Sequence, residues 1–103
     1  METMENKTYT VALNDFLAVH NQKIKDYYAA NFKNLTPPTL QVKEGTRYDR
    51  IISGTSAWAF IDRTSGDIFK PASYKAPAKH ARGNIFQPDS WSTITAYGPA
   101  YLK

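Results

Sequence analysis

The residues best suited to chemistry lie in one run, Lys70-Pro-Ala-Ser-Tyr-Lys-Ala-Pro-Ala-Lys-His-Ala-Arg-Gly-Asn84. Lys70, Lys75, Lys79 and Arg82 are cations of the kind that neutralise phosphates by displacing counterions, and the Tyr74 ring can stack on an unpaired base. Arg82 adds a planar donor fork beside the flexible Gly83 and the amide of Asn84, a grouping suited to phosphate or carboxylate. His80 gains charge in mildly acidic conditions. No acidic residue occurs between Asp67 and Asp89. The chain carries 13 Lys and Arg against 9 Asp and Glu, so these four cations account for the whole net charge of +4 and the remainder is neutral. The segment from Ile68 to Pro88 thus predicts an anionic partner, single-stranded nucleic acid or another anion. The rival reading is a solvated loop whose lysines serve solubility.

Other candidates reduce to structure. His20 falls among apolar residues and reads as a core histidine bonded to backbone. No second histidine stands at ligand spacing and there is no cysteine, so no metal site is expected. Asp62 and Asp67 flank Gly66, but Thr64 stands where a calcium loop needs a carboxylate or amide, so both aspartates read as turn formers. Ser53-Gly54-Thr55-Ser56 lacks the flanking glycines of a nucleophile elbow and the lysine of a phosphate loop. Trp58, Phe60 and Trp91 read as core residues, although aromatic rings on an exposed sheet face are one way to stack bases. The chain is therefore expected to be no enzyme and to need no cofactor.

These residues need a scaffold. Leu13, Phe16, Leu17, His20, Ile24, Tyr27 and Tyr28 recur at spacings of three and four, predicting an amphipathic helix over 13–33 with Asn14 as N-cap, or a start nearer Thr10. Thr36-Pro37-Pro38 ends it. Leu40 to Val42 predicts a brief extended piece. Residues 47–70 then predict a three-stranded antiparallel meander: Arg47–Ser53, Thr55–Asp62 and Asp67–Lys70, with turns at Ser53-Gly54 and around Gly66. Strict alternation along Thr55–Asp62 sends Trp58 and Phe60 to one face and Ala57, Ala59 and Ile61 to the other, so both faces need cover. Beyond Pro71 the reading is short turns capped at Ser73 and started at Pro77, with Gly83 as their stop. Asn84 to Phe86 suits a short strand, and Trp91 to Tyr97 a C-terminal strand closing the sheet.

The stretch from Arg47 to Phe86, above all the run from Lys70 to Asn84, resembles a motif of small uncharacterised proteins of bacteriophages and marine viral metagenomes. The resemblance implies a viral origin and a place in the cytoplasm of a bacterial host or in the virion. It implies no reaction.

At 103 residues the chain suits one domain of α+β class, a helix packed on a small antiparallel sheet, with residues 1–9 flexible and 71–103 irregular. A hydrophobic fraction of 42% argues for a folded core. The polar N-terminus predicts no signal peptide, and no apolar run predicts a membrane span. The first function expected is a nucleic-acid-binding module built on Lys70, Tyr74, Lys75, Lys79, His80, Arg82 and Asn84. The alternative is a structural or host-interaction protein of the virion that self-associates as a homo-oligomer, suggested by the doubly apolar strand and by Trp91, Tyr97 and Tyr101.

Overall fold

The computed structural model describes residues 8–95 and 98–99. Tyr101 and Tyr97, expected in a C-terminal aromatic cluster, lie outside the described residues. Helix α1 runs from Tyr9 to Asn31. Its cap is Thr8, not Asn14: the Thr8 hydroxyl accepts a hydrogen bond from the Val11 N–H at 3.2 Å, satisfying one of the unpaired donors of the first turn. Ala12, Leu13, Phe16, His20 and Ile24 form its buried stripe, as their spacing predicts. Past the helix, Asn21 Oδ1 accepts the Leu40 N–H at 2.8 Å and ties the return of the chain to the helix.

Five strands follow: β1 Gln41–Lys43, β2 Tyr48–Ser53, β3 Ser56–Asp62, β4 Asp67–Pro71 and β5 Pro77–Asn84. They form one antiparallel meander in sequence order. The predicted three-stranded meander is therefore the centre of a five-stranded sheet within the expected α+β class. The expected short turns after Pro71 are corrected by β5. Pro77 sits at the start of a strand on the sheet edge, where a residue without an N–H costs no ladder bond. Gly83 is no helix stop. A Cβ there would lie 2.9 Å from the Ser90 carbonyl oxygen, so its bare backbone lets the following segment pack against β5.

The β3–β4 turn follows the sequence reading closely. Asp62 Oδ1 accepts the N–H groups of Thr64 and Ser65 at 2.7 and 3.1 Å, and Gly66 supplies φ +81°. After β5, Pro88–Thr93 forms a short 3-10 helix, and β6 Ile94–Thr95 pairs with β7 Gly98–Pro99. The expected C-terminal strand from Trp91 is thus replaced by this separate two-stranded ribbon. Pro88 opens the 3-10 turn, and Trp91 turns inward, where its indole N–H donates to the Asn84 carbonyl at 2.9 Å.

The core lies between α1 and one face of the sheet. Phe16, Ile24, Ile51, Ala59, Ile61, Ile68, Ile85 and Trp91 meet there. Each such buried large apolar side chain contributes about 1.5–3 kcal/mol of transfer free energy. Asp49, 2% exposed, is the charged member of this face. Its carboxylate accepts from the Tyr9 hydroxyl at 2.8 Å and from Arg63 Nη1 at 2.6 Å, so the buried charge is paired and the helix start is fastened to β2.

Candidate functional site

Among the described residues no helix covers the opposite face of the sheet, and a bulge decides what that face displays. Ile51 pairs with Ala59 and Ile52 with Ala57, which leaves Trp58 as an extra residue on β3. The extra residue breaks the alternation. Trp58 joins the helix side, with its ring centroid 6.0 Å from Phe16 and 5.7 Å from His20. Phe60 is left alone on the outer face. The expectation that Trp58 and Phe60 share a face is corrected accordingly.

Around Phe60 the outer face alternates rings and cations. Tyr48, beside it on β2, meets Phe60 and Phe69 edge-on at 6.3 and 5.8 Å between centroids. The Arg50 guanidinium carbon lies 5.7 Å from the Phe60 centroid and 4.6 Å from that of Tyr74, while Arg47 lies 5.2 Å from Tyr48. These distances are in cation–π range. Tyr74 arrives from the connection between β4 and β5, which folds back over the sheet far enough to reach β2. Hydrogen bonds from the Ala72 and Ser73 N–H groups to the Ala76 carbonyl hold this connection tight.

Between it and the β1–β2 connection is a cavity of about 250 Å³. Lys43, Arg47, Arg50 and Lys75 line it, with Glu44 as the acidic member and Tyr48 and Phe60 as its aromatic wall. Arg47 also pairs with Asp62 at 3.6 Å. Arg50 Nε is enclosed and has no hydrogen-bond partner among the described residues. A buried donor in that state needs a partner that the described residues do not provide. The cavity thus combines excess positive charge with aromatic rings in cation–π range of its arginines, which suits an anion bearing or adjoining a flat ring.

The family of unknown function DUF7717 matches residues 1–97. The chain belongs to this family. No curated protein and no solved structure matches it. As a member of DUF7717 the chain inherits no activity, so its chemistry rests on its own residues.

Of the seven residues singled out from the sequence, the fold brings Lys75 to the wall of this cavity and Tyr74 against Arg50. Lys79 and His80 are exposed on β5, the outermost strand. The Arg82 guanidinium donates to the His80 carbonyl and so folds back along its own strand. Lys70 follows Phe69 on β4, where the pairing with β5 is irregular, and is not among the residues that line the cavity. Asn84 is engaged internally: its amide donates to the Ser65 carbonyl and to Asp67 Oδ1, both at 2.9 Å, and its Oδ1 accepts the Phe86 N–H at 2.8 Å.

Sequence reasoning missed Lys43, Arg47, Tyr48 and Arg50. The available signal was the alternation of Tyr48 and Arg50 on β2 opposite Phe60 on β3, which marks a cationic and aromatic face. His20 matches its expected role. It is 1% exposed, its Nδ1 lies 2.8 Å from the Phe16 carbonyl, and burial lowers its pKa to about 4, with the carbonyl bond opposing and Lys23 adding a smaller decrease.

Proposed function

We propose that this chain is a non-catalytic binding module that takes single-stranded nucleic acid on the outer face of its sheet. The observation that supports it most is the Arg50 guanidinium within cation–π range of both Phe60 and Tyr74, beside a groove that also holds Lys43, Arg47 and Lys75. A base stacks on the exposed side of such a ladder, and the surrounding cations take the adjoining phosphates. The basic segment contributes Tyr74 and Lys75 to this surface, with Lys79 and His80 as an outlying charged margin. The likeness of Lys70–Asn84 to phage and marine viral proteins supports a bacterial host as the setting.

The self-associating alternative is less well supported. Phe60 is already 3% exposed within its own chain, so the doubly apolar strand needs no second copy to cover it. Both sheet edges carry lysine, Lys43 on β1 and Lys79 on β5, which opposes edge-to-edge pairing.

Fluorescence anisotropy of a labelled oligothymidylate tests the proposal. Four cations around the groove limit the salt slope to about 3 decades of affinity per decade of salt. Arg50→Ala and Tyr74→Ala should each weaken binding by about tenfold, in line with a loss of roughly 1–3 kcal/mol per stacked base. Absence of binding at low salt, or binding indifferent to both substitutions, refutes it.

A further inference from the structure

We infer that the cavity beneath the Tyr74 connection is a phosphomonoester site, able to hold the terminal phosphate of a strand or of a single nucleotide. This deepens the proposal above and rests on it for the nature of the ligand, but the site is defined by its own geometry. The volume, about 250 Å³, falls below the roughly 300–1,000 Å³ that enclose a drug-sized molecule. A single phosphate with its sugar is of the right order, whereas a folded cofactor is not.

Charge favours a dianion over a diester. Lys43, Arg47, Arg50 and Lys75 outnumber Glu44, and Arg47 is partly compensated by Asp62, so two to three positive charges remain for the ligand. A phosphomonoester carries about −1.5 to −2 charges near pH 7 and three strong acceptor oxygens, and an internal phosphodiester has a single charge. Arg50 supplies the independent pointer: its side chain lines the cavity, and its Nε, enclosed and without a partner among the described residues, gains one only when an anion draws the guanidinium towards the cavity. The Tyr74 ring centre lies 4.6 Å from the guanidinium carbon on one side, and a guanidinium so placed keeps N–H donors for an oxyanion. Gly45 N–H points to the buried Asp49 carboxylate at 3.4 Å, which holds the β1–β2 wall of the cavity in place before a ligand arrives.

Two measurements on the full chain test this. In the first, inorganic phosphate and thymidine 5′-monophosphate are titrated separately into isotopically labelled protein while the Arg50 Nε–H resonance is followed. Saturable shifts with both are expected at millimolar ligand, tighter for the nucleotide because its base reaches Tyr74. In the second, 3′-labelled oligothymidylates with and without a 5′-phosphate are compared. The phosphorylated strand should bind about tenfold tighter, the equivalent of one charge-assisted hydrogen bond. Arg50→Gln and, separately, Lys75→Gln should erase that preference.

A flat Arg50 resonance with both small ligands overturns the inference, whatever the oligonucleotides do. Equal affinity of the two strands also overturns it and leaves the nucleic-acid reading standing. Shifts with phosphate but no oligonucleotide binding sustain the site and refute the nucleic-acid reading instead.

Discussion

The Arg50 guanidinium carbon stands 4.6 Å above the centre of the Tyr74 ring, joining β2 to the connection between β4 and β5 across the intervening β3. This contact ties the basic segment to the sheet and makes the outer face a built surface. A double-mutant cycle on Arg50→Ala and Tyr74→Ala, read by urea denaturation, should give a coupling of about 0.5–1 kcal/mol, the range of a partly exposed cation–π pair. Strict additivity would show that the two side chains do not meet in solution.

Charge reversal separates the groove from the outer strand. Lys75→Glu should reduce oligonucleotide affinity by at least about tenfold and flatten the salt slope, because Lys75 lines the cavity. Lys79→Glu, on β5, should change affinity by no more than about threefold. Equal effects would move the contact surface to the sheet edge.

His20 makes stability depend on pH. Its folded pKa is lowered to about 4 from an ordinary 6.5, chiefly by burial. Above 6.5 both folded and unfolded chains hold it neutral, and stability is full. As pH falls from 6.5 towards 4 the unfolded chain binds the proton first, so stability is lost across that window. The loss from pH 7 to 5 should be about 2 kcal/mol, in a range where most carboxylates have yet to titrate. His20→Met should remove this slope in thermal or urea melts, and an unchanged slope would assign it to another group.

Asn84 tests structure against binding. Its side chain bridges Ser65, Asp67 and Phe86, closing the β3–β4 turn onto the end of β5. Asn84→Ala should cost about 1–3 kcal/mol of stability by leaving those partners unpaired. Loss of oligonucleotide affinity without loss of stability would instead give Asn84 a role in contact with the ligand.

The pattern of success follows the range of the forces involved. The buried stripe of α1, the β2 and β3 segments and the Asp62 turn come from neighbours within a few residues, and each is legible from spacing or turn chemistry. The edge strand β5 is not, because Pro77 and its alanines have weak local preference and become extended only against β4. Trp58 fails for a related reason: alternation counts residues, and a bulge set by pairing with β2 changes the count.

The cationic segment was visible from composition alone, since placement of charge along a chain needs no fold. The amphipathic helix and the α+β class were likewise determined by the sequence, through periodicities of about 3.6 and 2 residues. Only the tertiary structure decided which cations converge. It drew Tyr74 and Lys75 onto Arg50 and Phe60, engaged Asn84 in a turn and left Lys79 and His80 on the outermost strand. The physical reason is that convergence depends on strand register and on the path of one connection. Register is settled by strand pairings such as Asp67 with Asn84, and the path of the connection by the contact of Tyr74 with Arg50, none of them between near neighbours in the chain.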